Sequence, residues 1–123
     1  MNEIKNIQVQ IRKFCDERDW MQFHNPKDMA TAISIEAAEL QEIFLWKSPE
    51  EVRQVVEKKK ERIDEELADI AVYLFELADN LNIDLIKIME AKLAKNAAKY
   101  PAALVRGSSK KYTEYLRQEG ASE

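Results

Sequence analysis

Apolar residues recur at three- and four-residue spacing along most of this chain, and the points where that rhythm breaks divide it into helices. Ile4, Ile7, Ile11 and Phe14 or Cys15 form one stripe, which predicts an amphipathic helix from residue 3 to about 18. The next stretch, residues 19–26, is an unusually aromatic connector that ends in an Asn-Pro step. The proline ring disfavours helical backbone at the residue before it, so Asn25 should lie outside a helix. A second helix is expected from Pro26 or Lys27 to Trp46. Ser48-Pro49-Glu50-Glu51 then reads as a helix start. Ser48 can cap, Pro49 suits the first helical position, and Glu51 can close a capping box. Helical pattern continues to about Asn80 through the fully polar run 57–62, which leaves open one long helix or two jointed near Lys59. Residues 80–84 read as a turn with Asn82 and Asp84 as capping candidates. The last main helix should end near Lys99, stopped by Tyr100-Pro101. Both glycines fall after it, so the rest is expected to be irregular, with the domain spanning 1–113 and a disordered tail at 114–123.

Composition turns this pattern into an all-α domain. A chain of 123 residues with 46% hydrophobic and 34% charged residues can fold as one soluble unit. Two glycines and three prolines are too few for the tight turns of a β-rich fold. The net charge of −4, with no basic face in the first hundred residues, argues against a nucleic-acid polymer or an anionic membrane as partner. No apolar run is long enough to span a bilayer, and the start MNEIKNIQVQ lacks a signal-peptide core, so a cytoplasmic location is the default expectation. The single cysteine, Cys15, excludes an intrachain disulfide and a cysteine-based zinc cluster, and is expected to be a buried helical residue.

Certain acids sit where a helix should be apolar. At about 100° per residue, Met29, Ile33, Leu40 and Ile43 all fall within about 60° of Glu36, and Glu39 lies about 60° to its other side. The third span repeats the arrangement: Glu66 shares its face with Ile63, Ile70, Leu74 and Leu77, and Asp69 lies about 60° away beside Tyr73. Glu42 and Glu65 point outward. Carboxylates taken from water cost several kcal/mol each, and like charges add to that. They can be protonated, paired with Lys or Arg, or bridged by a divalent cation. Cations are scarce on these faces, with Arg62 the nearest, which favours metal. Ligation by carboxylates alone suits Mg²⁺, with Mn²⁺ as the other choice, over zinc. An acidic protein that handles an anionic substrate needs such a cation in any case. A di-iron bundle would need Glu-x-x-His pairs, whereas the one histidine, His24, lies in the connector. No Gly-x-x-x-x-Gly-Lys phosphate loop is present.

The words Glu36-Ala-Ala-Glu39 and Glu66-Leu-Ala-Asp69 resemble the ExxE…ExxD signature of the MazG-like all-α NTP pyrophosphatases. The flanking words Glu17-Arg-Asp-Trp20, Gln22-Phe-His-Asn-Pro26, Phe44-Leu-Trp46, Lys99-Tyr-Pro101 and Ser109-Lys-Lys-Tyr-Thr113 are similar to the dCTP pyrophosphatase branch. The resemblance runs from about residue 14 to 113. It implies a four- to five-helix bundle completed by oligomerisation, as a homotetramer built from two dimers with active sites at the dimer interface. It implies hydrolysis of a dNTP, dCTP or a related or modified nucleotide, to dNMP and pyrophosphate. Glu36, Glu39, Glu66 and Asp69 would hold Mg²⁺, and Glu36 or Glu39 would take the proton of the attacking water. Trp20, His24 and Trp46 match positions near the base, and Tyr73, Lys92, Asn96 and Tyr100 match positions near sugar and phosphates. Lys110 and Lys111 could reach the phosphates from the tail, but a solvated basic stretch is the preferred reading of them. Two other readings stand beside this one: a non-catalytic helical protein-interaction module, and an enzyme of the same superfamily acting on dUTP or phosphoribosyl-ATP. Taken alone, His24 could instead cap the second helix.

Overall fold

The computed structural model describes residues 2–109, and among them there is helix and turn but no strand. Five main helices follow in order: α1 (Glu3–Glu17), α2 (Pro26–Glu42), α3 (Pro49–Lys58), α4 (Lys60–Asn80) and α5 (Leu85–Lys99). A 3₁₀ turn at Met21–Phe23 precedes α2, and a four-residue α6 (Ala102–Val105) follows α5. The tail expected at 114–123, with Lys110 and Lys111, lies outside the described residues. The described chain divides into two compact units between Ile83 and Asp84.

In the first unit α4 is the hub. At 21 residues it extends about 30 Å, and α1, α2 and α3 all pack against it. Ile11, Cys15, Met29, Ile43, Val55 and Ala78 are the apolar residues buried there. Met29, at 1% exposure, is the most completely enclosed, and its flexible thioether suits an irregular gap between helices. Gln8 donates to the Phe75 carbonyl at 3.0 Å, and the Arg12 guanidinium bonds both oxygens of Asp79, tying α1 to α4. The cap of α3 follows its sequence signal, and α2 gains a cap at the residue that the Asn-Pro step keeps outside the helix. Asn25 accepts from the Asp28 N–H, and Ser48 and Glu51 form the reciprocal box at the start of α3. Each cap contributes about 1 kcal/mol.

Two boundaries need correction or completion. Helix α2 stops at Glu42 rather than Trp46. Residues 43–47 coil into tighter turns, with Phe44 N–H on the Gln41 carbonyl and Lys47 N–H on the Phe44 carbonyl, and Trp46 adopts a left-handed φ of 61°. This reversal delivers the chain to Ser48 in extended backbone, ready to cap α3. It also removes Trp46 from the α2 face where helical spacing put it beside Glu39. The polar run resolves into two helices that part at Lys59, whose φ of −111° and ψ of 24° leave the helical region. Lysines 58–60 repel one another and bury nothing apolar, so no packing keeps the helix continuous there.

At the end of α4, Asn82 turns the chain with φ 55°, a conformation asparagine tolerates. Asp84 then caps α5 by accepting from the Lys87 N–H at 3.1 Å. In the second unit α5 ends as expected at Lys99, with the Tyr100 N–H closing on the Asn96 carbonyl. The following stretch, expected to be irregular, holds the short α6.

Candidate metal centre and adjoining cavity

Packing of α2 on α4 brings three of the four singled-out acids together. One carboxylate oxygen each from Glu36, Glu39 and Glu66 lies within 4.8 Å of the others. Glu66 is only 9% exposed, and Glu36 and Glu39 are half-buried. The Oε2 atoms of Glu36 and Glu66 are buried without a hydrogen-bond partner among the described residues. Burial, then the neighbouring carboxyls of Glu66 and Glu39, then the charge of Asp69, push the Glu36 pKa from 4.5 up to about 7. Arg62 is exposed and does not neutralise the group.

Asp69 departs from its expected place. It is exposed at the margin of α4 instead of sharing the buried stripe, and Leu74 is exposed too. The reason is the narrowness of the covered face: Asp69 lies about 60° to one side of Glu66 around α4 and Leu74 about 80° to the other, so both fall at its edges. Asp69 still acts on Glu36 through its charge, and it forms part of the wall of a cavity of about 450 Å³. Glu42 and Glu65 are exposed, as their helical positions required.

That cavity lies between α1, the connector and α4. Ile11, Phe14 and Val72 give it apolar walls, and Trp20, His24 and Tyr73 line it with Asp69. The connector reaches it because Asp19, at φ 55°, bends the chain so that the Trp20 N–H donates to the Cys15 carbonyl at 3.0 Å. The Trp20 ring packs edge-to-face on Phe14, with centroids 5.6 Å apart. Burial first, and then the charges of Glu36 and Asp69, push the Tyr73 phenol pKa up, so it remains a donor at neutral pH.

His24 does not cap α2, since Asn25 does. Its Nδ1 lies 2.5 Å from Oε2 of Glu76, a residue only 3% exposed that also lines the cavity. The Cys15 thiol donates to Oε1 of the same carboxylate at 3.3 Å, and Asn80 Nδ2 donates to Oε2 at 3.4 Å. Burial, followed by Glu76, pushes the Cys15 pKa up to about 11. Sequence reasoning missed Glu76 and the part played by Cys15. A signal was present: Glu76, seven residues after Asp69, falls about 20° from it on the helical wheel.

Trp46 is 90% exposed and is not part of the cavity wall. Lys92, Asn96 and Tyr100 follow one another at four-residue steps on α5 and its C-cap, in the second unit. Lys92 is exposed there, while Asn96 and Tyr100 are half-buried.

A family model described as the MazG-like family matches residues 31–115. Rat dCTP pyrophosphatase 1 is 41% identical over 116 residues, covering 93% of this chain and 68% of the rat protein. Human dCTP pyrophosphatase 1 is 41% identical over 113 residues, covering 90% of this chain and 66% of the human protein. Among solved structures, a pyrophosphatase from Archaeoglobus fulgidus superposes with a TM-score of 0.79 at 40% identity, covering 82% of this chain and 94% of that one.

Proposed function

This chain belongs to the MazG-like family, and from that premise we propose that it is a Mg²⁺-dependent pyrophosphohydrolase that cleaves a deoxynucleoside triphosphate, dCTP or a related or modified dNTP, to the monophosphate and pyrophosphate. The observation that carries the reading is the pair of buried oxygens on Glu36 and Glu66 that have no hydrogen-bond partner among the described residues. The acid that acts on this cluster from its edge, Asp69, also walls a cavity of about 450 Å³, a volume in the range of small-molecule sites.

The donor set fits a hard divalent cation, because it offers carboxylate oxygens alone. Glu36, Glu39, Glu66 and Asp69 would hold Mg²⁺, with Mn²⁺ as a substitute. When bound, such an ion supplies charge neutralisation at the phosphates and a more acidic attacking water. Glu36 or Glu39 would serve as the base that takes the proton of the attacking water. Trp20 offers a ring face on which a base can stack, and His24 sits beside it, fixed by Glu76. Tyr73 keeps its proton and donates to sugar or phosphate. The apolar walls of Ile11, Phe14 and Val72 limit water at the base. Lys92, Asn96 and Tyr100 are assigned to sugar and phosphates. Trp46 is assigned to the base in a homo-oligomer, a dimer of dimers, in which a second copy covers its exposed ring. The enzyme would draw on the nucleotide pool of the cytoplasm. Among the described residues no helix is long and apolar enough to cross a membrane.

The deciding experiment incubates purified protein and Mg²⁺ with dCTP, dUTP and phosphoribosyl-ATP side by side and assays both phosphate products. Release of pyrophosphate, fastest from dCTP, is the expected result. Orthophosphate release, or no turnover of any nucleotide, counts against the reading. A non-catalytic interaction module would in addition show a melting temperature indifferent to Mg²⁺ and nucleotide.

A further inference from the structure

We propose that Cys15, His24 and Glu76 form a binding site for a borderline divalent cation of the Zn²⁺ type, separate from the carboxylate cluster. The three side chains come from three parts of the chain, α1, the connector and α4, and each offers one donor atom within 4.8 Å of the other two. The individual separations are 3.3 Å from Sγ to Glu76 Oε1, 4.0 Å from Sγ to His24 Nδ1, and 2.5 Å from Nδ1 to Glu76 Oε2. Donor atoms around a tetrahedral zinc lie about 3.3 to 3.6 Å apart. The two sulfur distances straddle that spacing, and the imidazole and carboxylate, hydrogen-bonded to each other when no ion is bound, part by about 0.8 Å through side-chain rotation to admit one ion between the three groups.

The chemistry of the set selects the ion. One sulfur, one imidazole nitrogen and one carboxylate oxygen suit zinc, cobalt or cadmium, whereas Mg²⁺ demands oxygen. The charges also balance. A thiolate and a carboxylate neutralise a divalent ion, so a loaded site buries no net charge, an important condition where Cys15 and Glu76 are each only 3% exposed. Binding displaces the Cys15 proton to solvent and requires the His24 ring to carry its proton on Nε2. The burial that keeps the empty-site thiol protonated is thereby overcome by the metal. Asn80 donates to Glu76 Oε2 and supplies the outer-shell contact that orients the carboxylate. Three protein ligands bordering an open cavity leave a fourth position for water or a ligand atom, the layout of zinc sites that bind or activate molecules.

The test is a Co²⁺ titration of the full chain in excess Mg²⁺, which keeps the carboxylate cluster filled. Cys15 is the one cysteine of the sequence, so any thiolate-to-cobalt charge-transfer absorption reports on it. One equivalent of Co²⁺ should produce that band with the visible spectrum of a tetrahedral ion, and Zn²⁺ should bleach it. Cys15→Ala should abolish the band. His24→Gln and Glu76→Gln keep the thiol and should weaken binding by at least about tenfold, the scale at which even outer-shell partners register. Glu39→Gln should leave the band intact. Absence of a thiolate band overturns the site, as does a band of equal affinity in the His24 and Glu76 variants, which would mark a thiol binding metal alone. These readouts do not depend on nucleotide hydrolysis, so the site and the pyrophosphohydrolase reading can fail separately.

Discussion

Glu36 on α2 and Glu66 on α4 each bury one carboxylate oxygen, Oε2, with no hydrogen-bond partner among the described residues. An unsatisfied buried acceptor costs about 1–3 kcal/mol, and more when charged. Two of them in one cluster of acids make the metal-free fold pay for its own site. A cation shared by both removes that cost, and binding to the folded state alone stabilises it by about 2.7 kcal/mol at a hundredfold excess over Kd. Mg²⁺ should therefore raise the melting temperature of the wild type by several degrees relative to EDTA. Glu66→Gln should lose most of that rise. Identical melting curves with Mg²⁺ and EDTA would contradict the ligand assignment.

The same cluster sets a pH dependence. Burial and the acids around it hold the Glu36 pKa at about 7 in the fold, against 4.5 ordinarily. Between those values the folded protein keeps a proton that the unfolded chain has released, so stability falls as pH rises through the window and levels off above it. Asp28 and Glu51 shift the other way, lowered by Asn25 and Ser48, and their contributions are lost only as pH falls below the ordinary carboxylate range. The prediction is a melting temperature in EDTA that declines from about pH 4.5 to about pH 7 and is flatter in Glu36→Gln. A melting temperature that climbs across that window would show that Glu36 is not the governing group.

Catalysis should depend on charge more than on shape at the two outer acids. Glu39→Gln and Asp69→Asn keep the volume of each side chain and remove its negative charge. Neither residue is fully buried, so the fold should tolerate both changes. Loss of a group that places charge in a transition state costs about 10²–10³ in kcat. Turnover of dCTP should fall at least that far while the far-UV circular dichroism spectrum stays unchanged. Variants that remain active would remove these residues from the site.

What the sequence disclosed depended on how local each signal was. Helix starts at Ser48 and Asp84 were legible because a cap and its N–H partner are three residues apart, and the start of α2 because Pro26 keeps Asn25 out of the helix, although the cap that Asn25 supplies there was not foreseen. The meeting of Glu36, Glu39 and Glu66 was legible because the misplaced acids repeat on two helices whose apolar stripes must face each other. The end of α2 was hidden by a tertiary choice: residues 43–46 retain helical spacing, yet the chain turns at Trp46 to enter α3. Asp69 and Leu74 were misjudged because a wheel gives the direction of a side chain and not the width of the neighbour that covers it. The link from His24 and Cys15 to Glu76 spans 52 and 61 residues, and no local pattern encodes contacts at that range.

The last prediction concerns the apolar residues that the single chain leaves uncovered. Phe23, Ile35, Leu45, Trp46 and Leu67 are all exposed, and Ile35 and Leu67 each adjoin a glutamate of the cluster in sequence. Their burial against a second copy would return about 25 cal/mol for each Å² of apolar surface removed from water. Light scattering should accordingly give a mass of about four times the 14.3 kDa chain. Ile35→Asp and Leu67→Asp place a charge on this surface without touching the buried core, and each should lower the measured mass while helicity is retained. Because the proposed base site needs Trp46 covered by a partner, the dissociated variants should also lose affinity for dCTP. A wild-type mass equal to one chain, with nucleotide turnover intact, would mean that the exposed ring of Trp46 takes no part in the reaction.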